Sequence, residues 1–198
     1  VSENTTVDLL RHGEPVGGRR YRGQLDDPLS DKGWQQMASA VNGQHSWHQI
    51  VTSPLRRCRE FAASLGEILN IPVQDEERFK EIGFGIWEGR TRDELQNSDP
   101  ELLTRYFHDP ITYRPEGAED SSDFVKRVTD GWQGLLGNYH GRHVLVVAHA
   151  GVIRAVIGHV LEMPVANMFR LQVDNATFSR IRIEEARPPT LVIHNGRL

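Results

Sequence analysis

The chain has 198 residues, 38% of them hydrophobic, and a formal net charge of −4. That length accommodates one well-packed domain with a small insertion, and the acidic balance argues against a nucleic-acid or acidic-membrane surface while allowing a local basic pocket. A single cysteine, Cys58, excludes a disulfide framework or a thiolate metal cluster.

Val7–Leu10 reads as a first strand, followed by a polar, glycine-rich loop from Gly13 to Leu29. Ser30 is a plausible N-cap for a helix carrying Trp34, Met37 and Val41 at helical spacing. His48–Thr52 gives a second strand, and Ser53-Pro54 opens a helix to about Leu69, with Pro at its first position and Cys58 half-buried on it. Ile71–Gln74 is read as an edge strand. From Phe79 to Gly89 three glycines interrupt Ile82, Phe84, Ile86 and Trp87, the pattern of a packed loop. Thr91-Arg92-Asp93-Glu94 has capping-box spacing and starts a short helix. The stretch to Glu119, rich in Asp, Pro and aromatics, is expected to be an inserted, mostly helical cap at about 90–120.

Ser121 or Ser122 begins a helix through Phe124, Val128, Trp132 and Leu135. Val144–Ala148 is a continuous apolar run, the signature of a strand buried on both faces. A helix over Val152–Val160 follows. Met168–Val173 and Thr177–Ile183, flanking Asp174-Asn175, are expected to pair as a hairpin, with Leu191–His194 as a last edge strand. Strands alternating with helices predict an α/β three-layer sandwich with a mostly parallel central sheet, and the whole chain, 1–198, is expected to be one domain.

One arrangement occurs twice. Leu10-Arg11-His12-Gly13 and Ala148-His149-Ala150-Gly151 each place a histidine just beyond an apolar strand, with glycine close behind. Two parallel strands ending this way bring both imidazoles to one rim of the sheet, where α/β folds bind ligands. Arg11 offers a planar fork of donors matched to phosphate oxygens, and a neutral His12 beside it can attack phosphorus. Arg57 falls early in a helix, where free backbone N–H groups already favour an anion; as alternatives, Arg56, Arg57 and Arg59 form a solvated basic face. Glu81, if held against apolar surroundings, gains a raised pKa suited to proton donation; on the surface it does nothing of the kind. No His-Glu-x-x-His spacing or carboxylate cluster suggests a metal site, so no metal and no cofactor are expected.

Together Arg11-His12-Gly13-Glu14, Ser53-Pro54-Leu55 with Arg57, Glu81 to Gly89, and Val147 to Arg154 resemble the histidine phosphatase superfamily, the phosphoglycerate mutase-like family. Cys58 and Phe61 stand where that family usually has Ala and Thr, and Gly117-Ala118-Glu119 looks like a weakened Gly-Gly-Glu segment. The resemblance implies that His12 becomes a phosphohistidine, that Arg11, Arg57 and His149 hold the phosphoryl oxygens, and that Glu81 protonates the departing alcohol without a metal. It also implies substrate contacts from Ala150, Arg22 and Gly23.

Pro15-Val16-Gly17-Gly18 stands where mutases of the family carry Ser/Thr-x-Trp-Asn, which favours hydrolysis over a phosphoglycerate mutase. An inactive phosphate-binding module has no need of Glu81. The Tyr21–Ser30 loop, with Gly33-Trp34 and Met37, resembles α-ribazole-5′-phosphate phosphatases of late cobalamin assembly; a sugar-phosphate or broad-specificity phosphatase is the alternative. Within this loop Arg22 either reaches the substrate or bridges to Asp26 or Asp27. The expected partner is a small phosphorylated metabolite, with no nucleic acid and no membrane; monomer and homodimer both stay open. With no apolar span and no signal-peptide pattern, the cytoplasm is the expected location.

Overall fold

Six strands make one sheet: β1 (Thr5–Arg11), β2 (Gln49–Thr52), β3 (Val73–Asp75), β4 (His143–Ala148), β5 (Phe178–Glu184) and β6 (Arg187–Gly196). In space they lie in the order β3-β2-β4-β1-β5-β6. The computed structural model describes residues 4–43 and 46–197; the extreme ends of the expected 1–198 domain lie outside those residues. Strands β3, β2, β4 and β1 run parallel, and β5 and β6 add antiparallel strands beyond β1.

The helices are α1 (Asp31–Ala40), α2 (Arg56–Leu69), α3 (Arg92–Ser98), α4 (Pro100–His108), α5 (Ser121–Asn138) and α6 (Ala150–Val160). Side chains alternate across a strand, so β4 serves two cores. Val144, Val146 and Ala148 join Phe124, Val128 and Trp132 of α5 and the apolar side of α6. Leu145 and Val147 join Met37 of α1 and Cys58, Phe61 and Leu65 of α2. Layers on both faces explain why β4 reads as an unbroken apolar run. A third, smaller core of Trp87, Leu95, Leu103 and Tyr106 seats α3 and α4 against the 84–87 loop.

The starts of several helices follow their local chemistry. Ser30 accepts from the Gly33 N–H at the start of α1, Thr91 and Glu94 form a full capping box on α3, and Asp120 caps α5 at Ser121. Other expectations need correction. Helix α2 starts at Arg56, not at Pro54, because the Ser53 hydroxyl accepts from the Leu55 N–H and holds a turn there. Cys58 is fully buried, not half-buried. Helix α6 begins two residues early, at Ala150.

The expected hairpin between Met168–Val173 and Thr177–Ile183 does not form. Val165–Arg170 coils as a 3-10 helix after Pro164, and the Leu171 and Val173 carbonyls accept from Arg154 and Arg11. Besides β1, the antiparallel partner of β5 is β6, longer than the expected edge strand.

Candidate active site

The register of two adjacent parallel strands builds the site. Arg11 of β1 is paired with Ala148 of β4, and the His12 N–H continues the ladder by donating to the Ala148 carbonyl at 3.0 Å. His12 and His149 therefore leave the sheet side by side, with ring centroids 5.2 Å apart and planes at 64°. On the other side of β4, the Ser53 N–H at the end of β2 donates to the Val147 carbonyl. The carboxyl ends of β2, β4 and β1 thus share one rim.

His12 has the tautomer that attack on phosphorus would need. Its Nδ1 lies 2.7 Å from the Gly13 carbonyl, which can only accept, so Nδ1 carries the proton and Nε2 keeps its lone pair. Burial, then the nearby Arg57 and Arg11 guanidinium groups, hold its pKa well below the ordinary 6.5. The ring is neutral at pH 7. Asn175 Nδ2 donates to the His12 carbonyl at 2.9 Å, and the Ala176 N–H donates to the carbonyls of Arg11 and His12. The 174–176 loop, read from sequence as a hairpin turn, instead holds the backbone of Arg11 and His12.

Arg11 and Arg57 flank it. Arg11 donates to the Val173 carbonyl at 2.5 Å, and Arg57 donates to the carbonyls of Leu25 and Gly23 at 2.6 and 2.7 Å. Burial lowers the Arg11 pKa to about 10, which leaves it charged at neutral pH. Both side chains line the cleft, and in both the Nε atom is buried without a hydrogen-bond partner. Each guanidinium has five N–H hydrogens, more than the carbonyl contacts use, so donors remain for an anion in the cleft.

Glu81 also lines the cleft, but its surroundings are not simply apolar. Its carboxylate accepts from the Ile82 N–H at 3.0 Å and the Gly151 N–H at 3.2 Å. Glu119 lies behind it, accepting from Arg127 and the Gly83 N–H, so it braces the Glu81 loop. Glu88 does likewise through the N–H groups of Phe84 and Gln24.

His149 is placed differently from the others. It is wholly buried behind His12 and outside the cleft wall, with Nε2 2.7 Å from the Ser53 hydroxyl. Burial, then Arg57, keeps it neutral, well below the ordinary histidine pKa. Cys58 packs against it, 3.7 Å from Nε2, and burial drives that thiol's pKa far up, so it stays protonated. Ala150 and Gly23 line the cleft. Arg22 does too, but its guanidinium is held by Asp27 at 3.0 Å and the Val16 carbonyl at 2.5 Å. Of the two readings for Arg22, bridging is the one observed. The Tyr21–Ser30 loop forms a collar whose carbonyls orient Arg57.

The cleft has a volume of about 770 Å³. Sequence reading missed Arg154 and Arg170 on its wall, and missed a role for Arg92. Arg154 donates to the Leu171 carbonyl at 2.8 Å and lies over the Phe169 ring. It had a signal: an arginine inside the otherwise apolar α6, where a charge needs a reason.

A pair of arginines, a neutral buried histidine and a carboxylate at the rim of a parallel sheet form an α/β site suited chemically to phosphoryl transfer. The family model of the histidine phosphatase superfamily (branch 1) matches residues 7–196. The chain belongs to that superfamily. It is 33% identical over 180 residues to a bifunctional protein of Mycobacterium tuberculosis, covering 88% of this chain but only 49% of that protein. The chain thus spans about half the length of the first curated relatives it matches. It is 33% identical over 190 residues to phosphoserine phosphatase 1 of Hydrogenobacter thermophilus, covering 90% of this chain and 87% of the relative. To the adenosylcobalamin/α-ribazole phosphatase of Escherichia coli it is 29% identical, covering 96% and 95%. A solved mycobacterial glucosyl-3-phosphoglycerate phosphatase superposes with a TM-score of 0.87 at 29% identity, covering 98% and 99%.

Proposed function

We propose that this chain hydrolyses small phosphomonoesters through a phosphohistidine on His12. The observation that carries the reading is a His12 whose Nδ1 is committed to the Gly13 carbonyl, on the same cleft wall as Arg11, Arg57 and Glu81. Phosphoryl transfer needs positioning and compensation of charge on the non-bridging oxygens more than it needs covalent assistance. Arg11 and Arg57 meet that need. Nε2 of His12 attacks phosphorus as the bond to the alcohol oxygen breaks, and Glu81 delivers a proton to that oxygen. Water, deprotonated by Glu81, then attacks the phosphohistidine, and the P–N bond breaks. The Ala150 N–H, at the start of a helix with no side-chain cap, offers a further donor to the phosphoryl group. His149, held by the Ser53 hydroxyl, backs the His12 ring from behind the cleft.

Two substrate readings follow. The Tyr21–Ser30 loop and the Escherichia coli relative support α-ribazole 5′-phosphate and a place in cobalamin biosynthesis. The arginine-rich outer cleft favours a phosphorylated sugar or sugar acid. We further propose that α3 and α4 act as a cap over the site, within a single domain in the cytoplasm. Among the described residues no helix is long and apolar enough to cross a membrane.

Rapid quenching with labelled substrate tests the chemistry. The expected label is acid-labile and base-stable, and it disappears in His12→Ala. Label on a serine or aspartate overturns the reading.

A further inference from the structure

We infer that the alcohol part of the substrate carries a second anionic group, seated away from the scissile phosphate against Arg92 and Arg170. This rests on the phosphomonoesterase reading above and names the class of ester it favours.

The charge of the cleft is the starting point. Eight arginines line it against three carboxylates, Glu14, Glu81 and Asp174, although the chain as a whole is acidic at −4. Among the described residues only one of the eight, Arg22, has a carboxylate within ion-pair distance. Elsewhere among the described residues most are paired: Arg56, Arg59, Arg78, Arg105, Arg114, Arg127, Arg180 and Arg187 each have a carboxylate partner, and Arg90, Arg142, Arg182 and Arg197 do not. Unpaired cations gathered in one concave place focus a field that draws anions. Arg11 and Arg57 suffice for one phosphoryl group. The outer arginines exceed what a monophosphate with a neutral leaving group can use.

The geometry says where the second anion goes. A neighbouring cavity of about 570 Å³ lies between α3, α4 and the 165–170 turn. It shares Arg92, Phe107, Phe169 and Arg170 with the catalytic cleft. The Phe107 and Phe169 rings, 4.9 Å apart, give the shared wall an apolar surface for a carbon skeleton. Arg92 and Arg170 stand at this shared boundary, His108 lies deeper in the chamber, and among the described residues no carboxylate lines it. A substrate with phosphate at His12 and its carbon frame on the two rings would set its far end among these cations. Carboxylate and phosphate satisfy the same donors, so the shared chemistry is an anion. An ester whose leaving group is uncharged, such as α-ribazole 5′-phosphate, leaves this chamber's cations unpaired and ranks below.

Matched esters test it. The pairs are 3-phosphoglycerate against glycerol 3-phosphate, differing by a carboxylate, and fructose 1,6-bisphosphate against fructose 6-phosphate, differing by a phosphate. In at least one pair kcat/KM is expected to favour the anionic member by about tenfold or more, as charge-assisted hydrogen bonds would give, and less so at high salt. The better pair identifies the anion. Arg92→Gln and Arg170→Gln should each shrink that ratio, and Arg170→Glu should push it furthest toward the neutral member. Equal rates within both pairs, or ratios unmoved by all three variants, overturn the inference. Turnover of p-nitrophenyl phosphate reports separately on the phosphatase reading. If no ester turns over, that reading fails, and calorimetric binding of the same pairs still decides the subsite by the same criteria.

Discussion

Gly151 and Glu81 are fitted to each other. The Gly151 N–H donates to one carboxylate oxygen at 3.2 Å, and a Cβ built on Gly151 would stand 2.2 Å from the other. The residue two places beyond the strand-end His149 therefore sets where the proposed proton donor can stand. Glycine is required there for space, not for backbone conformation.

Glu81→Gln is expected to slow alkyl phosphates far more than aryl phosphates, whose leaving oxygen hardly needs a proton. General acid catalysis contributes about 10²–10⁴-fold, so losses of that size should appear with alkyl esters only. Gly151→Ala should reproduce the pattern by displacing the carboxylate, and the double variant should be little worse than either. A plot of log kcat/KM against leaving-group pKa for all three checks this; equal losses for every leaving group would place the donor elsewhere.

Arg57→Lys is expected to lower kcat/KM for every phosphomonoester by about 10²–10³-fold, the range seen when one oxyanion donor is removed. A lysine keeps the charge but cannot bridge the Gly23 and Leu25 carbonyls while presenting a third donor. Steady-state kinetics beside a thermal melt separate this from loss of fold.

Backbone meets backbone where β1 exits toward α1. A Cβ on Gly33 would lie 2.1 Å from the Glu14 carbonyl oxygen, and one on Gly13 would lie 2.3 Å from the Gly33 carbonyl oxygen. Gly33→Ala should destabilise by about 1–3 kcal/mol, the usual cost of overpacking. Gly137→Ala, in α5 with open space around it, should stabilise by up to about 1 kcal/mol. Urea midpoints of the two variants against the parent give both signs.

Acid should weaken the fold before any carboxylate titrates. The folded-state pKa values of His12 and His149 are held below the ordinary 6.5, so below that pH the unfolded chain binds protons that the folded chain refuses. Stability is complete above about pH 6.5 and falls as pH drops toward the folded values. Between about pH 7.5 and 5.5 each histidine should contribute a loss of stability, with the unfolded chain taking up the protons. Urea unfolding at both pH values should show a smaller loss in His12→Asn and in His149→Asn; an unchanged loss would mean the rings are protonated in the fold.

Local chemistry by itself determined much of this protein. The unbroken apolar run of β4 reports helices on both faces, and the Ser30, Thr91 and Asp120 starts of α1, α3 and α5 follow from side chains that satisfy the first free N–H groups. The two strand-end histidines, Arg11, Arg57 and Glu81 were legible because short spacings fix them relative to their own strands, loops and helices. Tertiary structure decided what lies between segments. Residues 168–173 have a strand-like composition, yet their carbonyls at Leu171 and Val173 are committed to Arg154 and Arg11, and β6 takes the place beside β5. Arg22 belongs to Asp27, and His149 sits behind His12 instead of on the cleft wall. Arg92, Arg154 and Arg170 share a cavity though they stand far apart in sequence. Periodicity records how deeply each residue is buried along its own element; which distant charges meet depends on how those elements pack, and only the folded chain settles that.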